Sequence, residues 1–264
     1  MSSTVVSLPP RPETLAMVFA QKYGRAPDLG WGPAMRQRFA YYNPDDHYEA
    51  AVCDLVGAET RWLDVGCGRE LFPSNRVLAA DLAQRCRHLV GVDPDATLQE
   101  NPFVHERVQV AFEEYDGGGS FDLVTLRMVA EHVTEPERVV RAMARALAPG
   151  GHAVVYTVDA WSPMPLLTRL APMGVRHVVK RWLWRTEKKD TFPTAFRMNS
   201  RRRLAALLGA AGMREVAFAW LDDCRTFGRF KSLQWCELAG RSLLRKVGCR
   251  YPERCLLGIY RRAY

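Results

Sequence analysis

Two short apolar runs in the first half of the chain end in residues that can bind a nucleotide. The first, residues 61–65, stops at Gly66 and Gly68, where the absence of a Cβ lets the backbone approach a ligand or adopt a positive φ. The second ends in the carboxylate Asp93. In doubly wound α/β sheets, an acid at the tip of the second strand hydrogen-bonds the hydroxyls of a ribose. The two runs together predict an adenosine site.

The glycine spacing also bears on the alternative that the nucleotide is NAD. Rossmann-like domains that bind NAD use a G-x-G-x-x-G pattern, with a third glycine three positions after the second. Position 71, where that glycine would stand, is Leu. The pattern therefore argues against NAD.

These runs and two later motifs resemble the class I S-adenosylmethionine (SAM) dependent methyltransferases, in their small-molecule branch. Residues 121–133 contain Phe-Asp-Leu-Val followed by Val-Ala-Glu-His-Val, which is similar to the family's fourth-strand signature. Residues 147–151, Leu-Ala-Pro-Gly-Gly, are similar to the motif that precedes the fifth strand. The motifs stand in the family's order and spacing, and the resemblance covers roughly residues 35–160.

The resemblance implies an α/β fold with a Rossmann-like, seven-stranded, mostly parallel sheet, helices on both faces and an antiparallel last strand. We expect residues 1–34 to form an N-terminal leader and helix, and residues 35–264 to form a single methyltransferase domain. A helical lid at about 161–198 and an insertion at about 222–253 interrupt that domain.

Local patterns place the individual elements of this fold. The predicted strands beyond the first two cover residues 108–112, 121–127, 152–158, 216–220 and 256–260. The predicted helices cover residues 13–22, 34–42, 76–87, 135–147, 200–212 and, in the insertion, 233–244, with a further helix from Asp45 or Asp46.

The resemblance also assigns residues to the cofactor site. Many relatives carry an acid just after the third strand that reaches the exocyclic amine of adenine. Here Phe112 stands at that position, with Glu113 and Glu114 after it, so either an acid contact or stacking of Phe112 on the ring is open. The cofactor-binding residues so implied are Asp64, Gly66, Cys67, Gly68, Asp93, Pro94, Phe112, Glu113 and Arg127.

Three side chains, His132, Tyr42 and His177, are candidates for a general base. Methyl transfer needs little beyond holding the acceptor in line with the donor methyl, but an alcohol or ammonium acceptor must also lose a proton. His132 lies in the fourth-strand motif and serves either as that base or in packing. Tyr42 precedes the first strand and either lines the methyl-donor site or covers the sheet edge.

Composition limits the class of protein. The 264 residues are 48% hydrophobic, which suffices for a full core, and no run of eighteen or more apolar residues or secretory signal is present. We therefore expect a cytoplasmic protein. The seven cysteines include no C-x-x-C pair and no matching histidine spacing, so free thiols and no metal site are expected.

The charge is unevenly distributed along the chain. Residues 1–175 carry a net charge of −6 and residues 176–264 a net charge of +14. The basic last third suits an acidic substrate, an anionic membrane surface, nucleic acid, or simply solvated helix faces. Aromatic and basic residues also alternate over 161–198, as they would in a lid or in a segment at a membrane surface.

The favoured hypothesis is a SAM-dependent methyltransferase for a small-molecule metabolite or natural product, with O-methylation ahead of N-methylation and an acidic or aromatic acceptor. An RNA methyltransferase is disfavoured, because residues 126–129 read Leu-Arg-Met-Val where amine-methylating nucleic-acid enzymes present N/D-P-P-F/Y. A lipid or quinone enzyme in peripheral contact with a membrane is a third alternative. The oligomeric state stays open.

Overall fold

A seven-stranded sheet organises the protein, and its strand order is β3-β2-β1-β4-β5-β7-β6. The computed structural model describes residues 10–170 and 194–264. The strands are β1 (Arg61–Val65), β2 (His88–Val92), β3 (Glu106–Val108), β4 (Phe121–Arg127), β5 (Leu147–Val158), β6 (Met213–Asp222) and β7 (Arg254–Arg262). The helices are α1 (Pro12–Tyr23), α2 (Trp31–Arg38), α3 (Pro44–Leu55), α4 (Arg76–Arg85), α5 (Pro136–Ala146), α6 (Pro163–Leu170), α7 (Arg201–Ala210) and α8 (Lys231–Lys246), with short 3-10 turns at Ala96–Glu100 and Phe112–Glu114.

The pairing of the strands confirms the predicted fold class. Strands β1 to β5 are joined by parallel pairs, whereas β7 runs antiparallel to both β5 and β6. The last strand is thus the antiparallel one, as the resemblance implied. Because the other strands share one direction, their carboxyl ends meet at a single edge of the sheet, which is where open α/β sheets bind ligands.

Alternation along the strands separates the core into two layers. In β1, Trp62 packs into one hydrophobic cluster and Leu63 into the other, because successive side chains of a strand point to opposite faces. The first cluster includes Tyr48 of α3 and Tyr156 of β5, whose rings stack with their centroids 5.2 Å apart. Helix α3 is thereby fixed against the face of the sheet near its carboxyl edge.

The third strand differs from its prediction. It covers Glu106–Val108, not residues 108–112, and Phe112 begins a 3-10 turn instead. The pairing partner explains the difference, since β2 pairs with β3 only up to Val92 opposite Val108. Strand β5 is longer than predicted, because Leu147 already pairs with Phe121 of β4. The predicted insertion helix is confirmed as α8.

The N-terminal region packs closely on the rest of the protein from Arg11 onwards. Val18 is fully buried, and Arg11 Nη2 lies 2.7 Å from Oδ1 of Asp54 on α3. Residues 1–9 of the predicted leader lie outside the described residues. The boundary at residue 34 stays a prediction.

The described parts of the predicted lid are its two ends, α6 and residues 194–198. Residues 171–193, which include His177 and most of the segment proposed for membrane contact, lie outside the described residues. Within the two described ranges, none of the helices combines the length and hydropathy needed to cross a bilayer.

Candidate active site

The turn after β1 can be formed only with glycine at its first position. Gly66 has φ +67°, and a Cβ there would lie 2.3 Å from Cγ2 of Val129. Its N–H donates to the carbonyl of Val92 at 2.8 Å, which joins the ends of β1 and β2. Any larger residue would therefore clash with the loop after β4 and separate the two strand ends.

Asp93 is held against this turn by backbone donors. The N–H of Gly68 donates to Oδ2 of Asp93 at 2.9 Å, and the N–H of Asp95 donates to Oδ1 at 2.8 Å. A carboxylate oxygen can accept more than one hydrogen bond. Asp93 is half-buried, so its oxygens are not enclosed by the protein. The carboxylate is thus oriented in advance, with acceptor capacity remaining for a diol.

Cys67, between the two glycines, points into the protein. It is 5% exposed, and a Cβ on Gly91 of β2 would lie 2.6 Å from its Sγ. Burial raises the pKa of the Cys67 thiol, so it stays protonated. Asn101, fully buried, donates from Nδ2 to the carbonyl of Gly68 at 3.0 Å. Cys67 can therefore offer a ligand only its backbone.

Asp64 lies behind the turn, in the sheet. It is 3% exposed, and its Oδ1 accepts from Oγ1 of Thr125 at 2.5 Å, which in turn accepts from Nε1 of Trp62 at 2.7 Å. Burial raises the pKa of Asp64 to about 7, and the charge of Asp93 adds to the effect. Asp64 is poised to titrate near neutral pH.

Ionisation of Asp64 is expected to lower the stability of the protein. The unfolded carboxyl ionises above its usual value of 3.8, whereas the folded one keeps its proton up to about pH 7. In that window the folded state binds more protons, so the free energy of unfolding falls as pH rises and levels off above it. Denaturant titrations of wild type and Asp64→Asn should show wild type losing stability relative to the variant from pH 4 to 7. A difference independent of pH would contradict the burial of an ionisable group here.

The end of β4 carries a strained residue and an ion-pair network. Met128 has φ +55°, a conformation that non-glycine residues rarely adopt and that is concentrated at functional sites. Just before it, Nη1 of Arg127 lies 3.8 Å from Oδ1 of Asp45 on α3. Asp45 also accepts from Arg225 at 2.5 Å, and Arg225 is paired with Asp223 at 2.6 Å. The network joins the insertion to α3 beside the site.

Glu131 and His132 follow on the loop after β4. Glu131 is 6% exposed and accepts from Oγ1 of Thr157 at 2.6 Å. Nδ2 of Asn199 donates to the same Thr157 oxygen at 2.7 Å. Burial raises the pKa of Glu131, while the hydrogen bond from Thr157 and the charge of His132 act in the opposite direction. His132 itself is half-buried and adjoins a buried acid.

Three predicted cofactor residues lie around the ends of β2 and β3. Phe112 is 5% exposed and belongs to the hydrophobic core, which leaves little of its ring for stacking on adenine. Glu113 is half-buried and Pro94 is exposed. Contact of these three residues with adenine stays a prediction.

The second candidate base, Tyr42, lies in the loop before α3. Its ring contacts Phe19 and His47 edge-on, at centroid distances of 5.4 and 6.0 Å, and it lines a cleft beside Trp220 of β6. In the sheet, β5 and β7 separate β6 from β4. The structure thus brings Gly66, Gly68 and Asp93 together and places Tyr42 beside Trp220 of the edge strand β6, while a catalytic role for Tyr42 stays a prediction.

A further residue, Glu70, stands where the resemblance implies a polar residue near the amino-acid end of SAM. Oε2 of Glu70 is buried without a hydrogen-bond partner among the described residues, while Oε1 pairs with Arg76. Its position directly after the glycine turn was visible in the sequence, but its orphaned oxygen was not. An unsatisfied buried acceptor beside the glycine turn can accept a hydrogen bond from a ligand or from water.

Comparison with known proteins identifies the family. The chain matches the family described as methyltransferase domain over residues 33–217, more than half of its length. The chain belongs to the class I SAM-dependent methyltransferases. The match includes the glycine turn, Asp93 and the motif around His132. SAM is the cofactor of this family.

Curated relatives give a more specific but partial similarity to this methyltransferase. Ubiquinone biosynthesis O-methyltransferase from Xanthomonas oryzae pv. oryzae is 36% identical over 140 residues, covering 50% of this chain and 55% of that protein. The chain from Xanthomonas euvesicatoria pv. vesicatoria is 34% identical over the same length. The methyltransferase thus spans about half the length of the curated relatives it matches.

Solved structures support the fold. A SAM-dependent methyltransferase from Mesorhizobium loti has a TM-score of 0.54 at 20% identity, covering 83% of this chain and 98% of that one. Geranyl diphosphate C-methyltransferase from Streptomyces coelicolor A3(2) has a TM-score of 0.51 at 16% identity, covering 82% of this chain and 75% of that one. At these identities the similarity shows the architecture alone.

Proposed function

We propose that this methyltransferase transfers the methyl group of SAM to an oxygen atom of a small-molecule acceptor that is acidic or aromatic. The observation that carries the proposal is the carboxylate of Asp93, oriented by the N–H of Gly68 at the carboxyl edge of the sheet. The name of the curated relatives, O-methyltransferases of ubiquinone biosynthesis, supports oxygen as the acceptor atom.

The residues of the glycine turn fit the donor. Bound SAM supplies an electrophilic methyl group on a sulfonium. Asp93 would accept from both ribose hydroxyls, and the orphaned Oε2 of Glu70 would accept from the ammonium of the methionine part. At Gly68, a Cβ would meet nothing closer than Oδ2 of Asp93 at 3.8 Å, so the space over the turn is open to a ligand.

The loop after β4 would act on the acceptor. His132 would take the hydroxyl proton as the acceptor oxygen attacks the methyl group, and the buried carboxyl of Glu131 next to it would stabilise the imidazolium. Arg127, whose Nη1 lies 3.8 Å from Asp45, would contribute positive charge near an acidic acceptor or a phenolate, whereas the charge of Arg225 is offset by Asp45 and Asp223. Much of the acceleration would come from orientation of the two reactants.

Asp93→Ala is expected to weaken binding of S-adenosylhomocysteine, the demethylated donor, by about 100-fold or more. The substitution removes hydrogen bonds to a charged acceptor, which contribute about 1.5–3 kcal/mol each, and leaves the ribose hydroxyls without protein partners. Calorimetric titration of the purified chain measures the change.

The matched control is Asp95→Ala, which removes the same charge two positions away. Asp95 caps a short 3-10 turn by accepting from the N–H of Thr97 at 2.8 Å. This variant should bind S-adenosylhomocysteine as wild type does. Thermal unfolding verifies that both proteins are folded. Equal affinities for S-adenosylhomocysteine in wild type and Asp93→Ala would then refute the assignment of Asp93 to the ribose.

Acceptor class is tested by turnover with radiolabelled SAM. We expect methyl transfer to catechols or other phenols, and less to primary amines or to RNA. Methyl transfer to amines alone would show that the acceptor atom is nitrogen and not oxygen. Transfer to RNA that falls steeply with salt would favour the nucleic-acid alternative instead.

A further inference from the structure

A cleft of about 500 Å³ opens beside the edge strand β6, between the start of α3 and helix α8. Strands β5 and β7 lie between β6 and β4, whose end leads into the loop of His132, and His47 of the cleft stands two residues after Asp45, which pairs with Arg127. At a strand spacing of about 4.8 Å, β4 and β6 are roughly 14 Å apart. The ion pairs of Asp45 and Asp223 with Arg225 stand between them. Its lining includes Tyr42, His47, Trp220, Arg241, Arg245 and Arg250.

The cleft carries excess positive charge. Three guanidinium groups line it, against the single carboxylate of Asp222. Arg241 is already satisfied, since it is 6% exposed and its Nε donates to Oδ2 of Asp222 at 2.7 Å. Arg245 and Arg250 have no ion pair to a carboxylate in the part of the chain that the structure describes, and both are exposed. Two cations therefore remain available to a ligand.

One of these cations is held in place by an aromatic ring. The guanidinium carbon of Arg250 lies 4.1 Å from the centroid of Trp220, a distance typical of a cation–π contact. The stacked guanidinium keeps its N–H groups at the edge of the ring, free to donate. A pre-positioned guanidinium suits the planar, paired oxygens of a carboxylate or a phosphate.

His47 adds a neutral donor to the same cleft. It is half-buried, and burial lowers its pKa to about 4, with the charges of Arg241 and Arg245 acting in the same direction. At neutral pH its imidazole therefore carries no charge and offers one N–H. An anion in the cleft would offset the two arginine charges that disfavour its protonation.

The size and the apolar walls of the cleft indicate more than an inorganic ion. Tyr42, Ala219 and Leu221 also line it. Its volume lies within the range of about 300–1,000 Å³ that is usual for small-molecule sites. A bare oxyanion would leave most of this space, and the apolar side chains, in contact with water.

We propose that this cleft binds a small organic anion, with a carboxylate or phosphate group on Arg245 and Arg250 and an apolar body against Tyr42 and Leu221. The site goes beyond the proposed methyl transfer, since none of its residues belongs to the glycine turn after β1 or to the loop of His132. A ligand here contacts α3, which also carries Asp45 of the network at the end of β4.

The experiment titrates the full chain with phenyl phosphate, benzoate, inorganic phosphate and benzyl alcohol, by calorimetry at low salt. We expect one or both aromatic anions to bind, inorganic phosphate to bind more weakly, and benzyl alcohol not to bind. The double variant R245Q/R250Q should bind the aromatic anion at least about tenfold more weakly, as loss of charge-assisted hydrogen bonds requires. Phenyl phosphate and benzoate distinguish a phosphate site from a carboxylate site.

The control R202Q/R214Q removes the same charge from two exposed arginines outside the cleft. It should retain wild-type affinity for the anion. Equal weakening in both double variants, binding of benzyl alcohol as tight as that of the anions, or no binding of either aromatic anion would overturn the proposal. Both double variants alter exposed side chains, and thermal unfolding verifies that they fold.

A competition measurement separates this site from the donor site. Saturating S-adenosylhomocysteine should leave the affinity for the anion unchanged, and R245Q/R250Q should bind S-adenosylhomocysteine as wild type does. Displacement of the anion by S-adenosylhomocysteine would place the anion at the transfer site and overturn the proposal. Anion binding without any binding of S-adenosylhomocysteine would refute the proposed function but support the proposed anion site.

Discussion

Replacing His132 with glutamine is expected to lower kcat by about 100-fold or more, the range that a positioned general base contributes. Glutamine preserves much of the size and the hydrogen-bonding capacity of the imidazole but cannot take up a proton. Affinity for S-adenosylhomocysteine should stay within about twofold of wild type, since the donor turn is unchanged. Steady-state kinetics with a phenolic acceptor and calorimetry measure the two quantities.

The pH profile distinguishes a base from a packing residue. If His132 takes the proton, the fall of kcat at low pH in wild type disappears or moves in the variant. His88→Gln is the control, because His88 lies at the start of β2 and pairs with Glu106 at 3.2 Å, away from the carboxyl edge. Wild-type kcat in His132→Gln would show that His132 is a packing residue and not the general base. Parallel losses of turnover, donor affinity and stability would mean a structural role.

The second large effect is expected from Lys22→Met, which should lower the free energy of unfolding by about 3 kcal/mol or more. The Nζ of Lys22 lies 2.8 Å from Glu49 and 3.1 Å from Asp46, with side-chain exposures of 2%, 3% and 0%. Removal of the cation leaves two buried carboxyl groups. Asp46 keeps a contact with Arg36, but among the described residues Glu49 keeps only Nδ2 of Asn75, at 2.9 Å. Urea denaturation at pH 7.5 measures the change.

Arg11→Met provides the matched control for this prediction. Arg11 also joins α1 to α3, through Asp54, but its side chain is 48% exposed, and such pairs contribute about 1 kcal/mol or less. The double variant Lys22→Met/Glu49→Gln should recover part of the lost stability, because it removes one of the stranded charges. Similar losses in the two single variants would show that Lys22 does not act as a buried counter-ion.

The errors in the predicted elements arose where a neighbouring strand sets the limits. The apolar residues around Val108 and Phe112 favoured a strand through 112, but β3 stops where β2 no longer offers a partner. Phe112 then turns into the core, and its contact with adenine stays a prediction. Tyr42 was similarly ambiguous between two roles, and its packing against Phe19 decided its position.

The amino-acid sequence by itself predicted the family, the seven-stranded sheet with its antiparallel last strand, and the glycine turn after β1. These features depend on local properties: the alternation of apolar residues, the glycines that permit the turn, and an acid directly after β2. The tertiary structure alone decided which distant charges meet. Arg225 pairs with Asp45 across 180 positions of chain, and Lys22 is buried between Asp46 and Glu49. It also decided that Arg245 and Arg250 face His47 across one cleft. Such partners are set by how helices pack on the sheet, because a charged side chain has no local pattern that specifies its counter-ion.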